Sequence, residues 1–444
     1  MKDKIDFKSI NRLALPATIS GIAEPLLSIT DTAIVGNIPV NGLESLAAAG
    51  IVGSFLSMLV WVLGQTRSSI SSIISQYLGA GKLEEVKNLP AQAIYFNLLL
   101  SLVVLVSTIF FMEEIFALFN ASGKILDYCV SYYAIRIWGL PLTLFTFAVF
   151  GIFRGLQNTY HPMRIAMVGA LLNVGLDFVF VYGIEGLVPA MYLEGAAWAS
   201  LVAQGAMAIM ALVLLLQRTT ITMRLVLPIN KEMKRLIQMS LNLFIRTLAL
   251  NAALMLAVRE ATTLGDRYIG AHTIAINLWL FSAFFIDGLS AAGNSMAGKL
   301  LGAKDYGGLW YLSKKIVGYG LWVCAGLMLL GFLLYRPIGH LFTGDALVLG
   351  TFQSIFFLVL LGLPINTVAF ILDGLFKGLG EMKSLRNVLL GATFLGFVPC
   401  LYLGLALGWG LHAIWVAMAV WMLVRGLALG WNFRQKFRPL PQNL

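Results

Sequence analysis

Asp31 stands in the outer half of an apolar segment long enough to cross a bilayer, within Leu26-Leu27-Ser28-Ile29-Thr30-Asp31-Thr32-Ala33-Ile34-Val35-Gly36. A carboxylate in the middle of a membrane helix costs about 2.5–3.5 kcal/mol on insertion scales, so it ordinarily faces a wet cavity or a polar partner and has a task there. The plainer alternative is an acid satisfied inside a bundle by a neighbouring helix. Glu24 lies seven positions earlier, two helical turns, which puts both acids near one face of the same helix. The fifth apolar segment carries Asn173 and Asp177 at i, i+4 spacing, so their side chains stack on one face.

The segments holding Asp31 and Asp177 both run outward, and each acid lies in the outer half of its own, so the two can sit at similar depth. Two carboxylates brought close in a low-dielectric cavity repel, and one is then expected to hold a proton near neutral pH. That is a proton-coupling device. The same carboxyls with Asn173 and the hydroxyls of Ser28, Thr30 and Thr32 form an equally legible set of oxygen ligands for a sodium ion. Asp31, Asn173 and Asp177 are accordingly the expected cation-coupling residues, for H+ or for Na+, with no cofactor and no resident metal. In the second half, Asp287 and Asp373 are secondary acids. Asp373 precedes Gly374-Leu375-Phe376-Lys377 near a segment end, and it reads with Glu24 and Asp287 as a structural or gating acid. Glu260 beside Arg259 reads as a rim charge. Pro16 and Pro25 share the segment of Asp31, where each removes a helical hydrogen bond and favours a bend, static or responsive to protonation.

These residues need helices to hold them, and composition supplies helices of one kind. The chain has 444 residues, 59% hydrophobic and 12% charged, with a mean hydropathy of +0.85, a profile outside the range of water-soluble domains. Twelve apolar segments fit, at about 10–38, 44–77, 89–112, 125–153, 163–183, 194–217, 236–262, 268–298, 310–335, 350–377, 385–408 and 411–433. No small-residue cleavage site follows the first of them, so a removable leader is not expected. The net charge of +10 invites nucleic acid as a partner, but its distribution argues otherwise. Of the 31 Lys and Arg, four (Lys124, Arg259, Arg267, Arg336) fall outside, four (Arg67, Arg136, Arg246, Arg425) fall within segments, and the rest lie in loops or segment ends on one side. By the positive-inside rule that side is cytoplasmic, both termini included. The basic balance is a topology signal, and nucleic-acid binding drops out.

The longest break, 218–235, divides the chain into an N-terminal lobe, 1–217, and a C-terminal lobe, 236–444. At an offset of 223 residues, Gly139-Leu140-Pro141 falls on Gly362-Leu363-Pro364, Phe153-Arg154-Gly155-Leu156 on Phe376-Lys377-Gly378-Leu379, and Leu78-Gly79-Ala80 on Leu301-Gly302-Ala303. Three coincidences in one register indicate duplication. Six segments per half is an even number, so the repeats are parallel, related by an axis along the membrane normal, as in one class of secondary transporter. The expected fold is an all-α membrane protein of two six-helix bundles. Enzymatic chemistry finds little footing: Cys129, Cys324 and Cys400 are scattered, and His161, His272, His340 and His412 lie far apart near segment ends. No catalytic residue is assigned.

In order along the chain, Pro25 to Ala33, Asn173 to Asp177, Ile286-Asp287-Gly288 and Leu372-Asp373-Gly374-Leu375-Phe376 with Gly378 resemble motifs of the multidrug and toxic compound extrusion (MATE) transporters, and within them of the DNA-damage-inducible F branch. The resemblance runs over nearly the whole chain. It implies a V-shaped pair of bundles around a central cleft, and an antiporter that exports organic, often cationic compounds in exchange for protons or sodium. It also implies that Asp31, Asn173 and Asp177 form the coupling site. Where another branch of the family carries acids in the seventh and tenth helices, the comparable places here are near Asn251 and Asn366, which disfavours a second cation site. The expected partners are a small organic substrate and the lipid bilayer of the inner membrane, with the chain monomeric. A lipid-intermediate flippase is the alternative, for which Arg136, Arg246 and Arg425 are the candidates to hold a pyrophosphate. A polytopic membrane enzyme ranks below it.

Overall fold

A bilayer interior offers no water to a bare peptide group, so the backbone of each apolar run must pair its own N–H and C=O groups. The computed structural model does this with helices almost throughout. It describes residues 5–39 and 41–438, with the side chains of 23–29 excepted; Glu24, Pro25 and Ser28 therefore lie outside the described side chains. The first half comprises α1 (Phe7–Gly36), a broken span α2 (Gly42–Leu63) and α3 (Thr66–Gly79), α4 (Leu89–Ile109) and the short α5 (Met112–Leu118). It continues with α6 (Gly123–Arg136) and α7 (Gly139–Gly155), one span bent by 45°, then α8 (Tyr160–Tyr182) and α9 (Tyr192–Arg218). The second half holds α10 (Glu232–Leu264), α11 (Asp266–Gly302), α12 (Tyr306–Phe342), α13 (Ala346–Gly378), α14 (Met382–Gly391), α15 (Val398–Ala406) and α16 (Leu411–Phe437).

Among the described residues ten runs are long and apolar enough to span a membrane, and the bent α6–α7 pair makes an eleventh. With the 30 residues of α1, every expected segment is helical. The only β pairing among the described residues is an isolated bridge between Ile184 and Val188. Large apolar side chains stay uncovered along outward faces, among them Leu99, Val103 and Val106 on α4 and Leu329, Leu330, Phe332 and Leu333 on α12. In water such faces would drive association; here lipid tails cover them.

Local chemistry explains the ends and breaks. Asp6 Oδ1 accepts from Ser9 N at 2.7 Å and starts α1, and Asp345 Oδ1 accepts from Leu347 N and Val348 N to start α13. Between α14 and α15, residues 392–397 widen into a π-helical turn. Pro399 follows, and the wider turn makes room for a ring that would otherwise strike the carbonyl one turn back.

The chain divides into two compact units. One is residues 19–74 and 82–237; the other is 1–18, 75–81 and 238–444. This differs from a division at the 218–235 break. The start of α1 and the end of α3 go with the second-half helices, and the connecting stretch stays with the first-half ones. Gln92 of α4 fastens that stretch, donating to Val226 O at 2.9 Å and accepting from Asn230 N at 2.8 Å.

The duplication read from the sequence reappears as packing. Gly155 leaves no room for a methyl against Ile74 and the backbone of Ser71, and its counterpart Gly378 leaves none against the backbone of Asn294, 223 residues beyond Ser71. Where α3 crosses α11, Gly79 lies against Lys299 and Gly302 against Gln76, the same relation taken in both directions. A side chain at either would collide with backbone, so glycine is the residue that permits the crossing.

Candidate functional site

In the unit formed by 19–74 and 82–237, α1, α6, α8 and α9 converge on Asp31 and Asp177. The small residues of α8 and α9 allow close approach: Gly195 has no space for a methyl against the Phe180 backbone. Beyond the two acids, Tyr182 at the end of α8 donates its hydroxyl to Ile34 O of α1 at 3.1 Å. That bond fixes the two helices in register just past Asp31 and Asp177. Asp177 is fully buried and Asn173 nearly so. Asn173 reaches Ser200 Oγ of α9 through Nδ2 at 3.4 Å, a long contact.

The Asp31 and Asp177 carboxyls lie within hydrogen-bonding reach of one another. Neither oxygen of Asp177, nor Oδ1 of Asp31, has a donor from any described residue. Carboxylate oxygens are acceptors only, so two at that range hold together when one carries a proton and otherwise repel. The nearest fixed cation is Arg136 of α6, which attracts both. Its guanidinium lies 5.8 Å from the ring centre of Tyr132, one helical turn earlier. Tyr132 is buried and shares the field of both acids. The arrangement can take up one positive charge between two acids.

The structure thus brings together Asp31, Asn173 and Asp177. Sequence reasoning did not assign Ser200, Tyr132 or Arg136 to this place. Arg136 was visible as an arginine inside a span, and the i, i+4 step from Tyr132 put both on one face, but nothing in the sequence said which neighbour they met. Glu24 and Pro25 fall outside the described side chains. Pro16 lies inside α1, and its missing N–H leaves a gap in that helix's ladder. Asp287 is exposed on α11 and makes no ion pair among those described.

Asp373 belongs to the other unit. It is buried, and Arg246 of α10, Lys377 of α13 and Arg425 of α16 converge on it. At the places comparable to second-lobe acids, Asn251 donates to Thr247 O at 2.9 Å and Asn366 is buried. The histidines pack: His272 is buried with its ring 5.7 Å from that of Trp415, and His161 lies 5.0 Å from Phe153. Among the described residues no three His, Cys, Asp or Glu gather as a metal site would need.

A family model described as MatE matches residues 16–179 and again 243–402, once in each half. The chain is 26% identical over 454 residues to DNA damage-inducible protein F of Escherichia coli (strain K12), an alignment covering 97% of this chain and 93% of that protein. It is 24% identical over 450 residues to the multidrug resistance protein NorM of Vibrio vulnificus (strain YJ016), covering 97% of each. A crystal structure of MATE in the bent conformation superposes with a TM-score of 0.89 at 20% identity, over 96% of this chain and 95% of that one; at that identity the likeness is one of fold.

Proposed function

Because the chain belongs to the MATE family of transporters, we propose that it is a secondary antiporter that exports small organic compounds, cationic or amphiphilic, in exchange for protons. The observation that carries this reading is the facing pair Asp31 and Asp177: Asp177 is fully buried with no donor to either oxygen from any described residue, and half-buried Asp31 has none at Oδ1. Names of similar proteins, a multidrug resistance protein among them, support efflux as the direction and a broad range of organic substrates.

Charge bookkeeping favours the proton. With both carboxyls ionised the site holds two negative charges against the one positive charge of Arg136. A single proton brings the sum to zero and supplies the hydrogen bond that lets the carboxyls stay close. A sodium ion brings the same sum, but it must shed water and find several oxygen ligands at once with a guanidinium nearby repelling it. Proton arrival at one oxygen of the pair lets α1 and α8 close on each other. Proton loss restores repulsion and admits water. Alternating access follows if a bound cation is favoured in the ionised form and expelled from the protonated one. The N–H that Pro16 lacks gives α1 a place to bend during that change. In this reading the chain is a monomer of the inner membrane with both termini in the cytoplasm, by the Lys and Arg asymmetry.

The test is uptake of a fluorescent lipophilic cation, ethidium, by proteoliposomes under a proton gradient or a sodium gradient imposed separately. Transport is expected to follow the proton gradient in sodium-free buffer, each tenfold step supplying about 1.4 kcal/mol per proton. Asp31→Asn, which keeps shape and hydrogen bonding but cannot cycle a charge, should reduce it to the protein-free background. An absolute sodium requirement with no response to pH would leave the same residues as metal ligands and overturn the proton reading.

A further inference from the structure

Three helices of the second-half unit spend three cations on one acid. Arg246 Nη2 and Arg425 Nη2 both reach Asp373 Oδ1, at 2.5 and 3.6 Å, and Lys377 Nζ reaches Oδ2 at 3.1 Å. The two arginines are almost wholly buried, 6% and 1% exposed. Among the described residues no second acid pairs with any of the three, so the cluster carries a surplus of two positive charges inside a helix bundle. Uncompensated buried charge is strongly destabilising. A salt bridge needs one cation per carboxylate; this one leaves donors over.

Those donors are specific atoms. Arg246 Nε and Arg425 Nη2 are buried and give no hydrogen bond to any described residue. Because both guanidiniums reach the same oxygen of Asp373, they lie side by side. Arg425 is held from its other sides: Nη1 meets Met422 Sδ at 3.1 Å, and the guanidinium lies over the rings of Trp421 and Phe370 at 5.5 and 5.9 Å. An arginine fork held this way is pre-set for planar oxyanions. Phe370 also lines a cavity of about 10 Å³ with the polar side chains of Ser282, Asn366 and Thr367, room for one water.

We propose that Arg246, Lys377 and Arg425 form a binding site for one oxyanionic group of the carboxylate or phosphate class, with Asp373 holding the three cations in place and competing with the ligand. The group is contributed by a soluble oxyanion or by an anionic lipid headgroup. Bound there, it offsets the surplus charge and takes up the idle donors. The site is distinct from the Asp31–Asp177 pair, and its occupancy does not depend on how transport is coupled.

The experiment follows thermal unfolding of the purified full chain while inorganic phosphate, or phosphatidylglycerol in mixed micelles, is titrated in at constant ionic strength against chloride. Tm should rise saturably with at least one probe. Response to phosphate identifies a soluble oxyanion, and response to phosphatidylglycerol alone identifies the headgroup. Lys377→Gln should raise the half-saturating concentration about tenfold, the scale of one charge-assisted hydrogen bond. Asp373→Asn should lower it by a similar factor because the competitor is gone, even as the unliganded Tm falls. That opposite sign separates a binding site from a static salt bridge, and it does not depend on Arg425→Gln folding. Asp31→Asn should leave the response unchanged. Absence of a saturable response to both probes in the unaltered chain, or loss of the response in Asp373→Asn, would overturn the proposal.

Discussion

The two carboxylate sites of this chain have opposite charge balance. Asp31 and Asp177 are two acids with one arginine near them; Asp373 is one acid among three cations. The first accepts a positive charge at little cost, and the second has no use for one. Asp31 and the Asn173–Asp177 pair were legible in the sequence because an acid in an apolar span is conspicuous and an i, i+4 step fixes a face. The contents of the Asp373 cluster were not, since Arg246, Lys377 and Arg425 come from three helices and no spacing rule joins them. Arg136 shows the same limit, and it carries a prediction. Arg136→Gln removes the fixed cation, so the acid pair with one proton bound still holds a negative charge and attracts a further cation. Ethidium uptake by that variant should become sensitive to sodium at concentrations that leave the unaltered chain indifferent, by about tenfold in the half-effective sodium concentration, the scale of removing one nearby charge in a partly hydrated site. Identical sodium responses in the two proteins would remove Arg136 from the site.

Helices were legible as spans, their ends to within a few residues except at α12, which runs on to Phe342 where 335 was expected, because twenty apolar positions in a row admit one solution in lipid. Their interruptions were not. The break between α2 and α3 sits at Gly64 and Gln65, where a side chain on Gly64 would strike Val60 O and Phe147. The 45° bend between α6 and α7 and the π-helical turn before Pro399 likewise depend on neighbours that hydropathy does not record. Pro16 was legible as a weak point of α1 and tests the motion attributed to that helix. Pro16→Ala restores a backbone hydrogen bond worth about 1 kcal/mol, enough to shift a two-state balance about fivefold toward the straight form. Spin labels at positions 33 and 178, in a background lacking the three native cysteines, should show a pH-dependent distance change in the parent that the variant blunts. Equal distance changes in both proteins would make Pro16 a static feature and move the coupling elsewhere.

At the scale of the whole chain, the half-length repeat was legible from three short coincidences and is repeated in packing, with Gly155 and Gly378 closing on counterpart residues. The unit boundaries were less so. A long polar break between halves is visible in sequence, but residues 1–18 and 75–81 pack with second-half helices. Contacts such as Gly79 on Lys299 decide that, and they join residues more than two hundred positions apart. The function proposed for the whole chain rests on one claim, that a proton exchanged for substrate resides on the Asp31–Asp177 pair. The most direct test counts protons released when ethidium binds to the purified protein in weakly buffered detergent solution. The unaltered chain should release about one proton per bound cation over the pH range in which the free pair holds its proton and the cation-bound pair does not, the neutral sum demanding one for one. Asp31→Asn and Asp177→Asn should bind without releasing any. Full release by either variant, or binding to the unaltered chain with no release at any pH, would contradict the account.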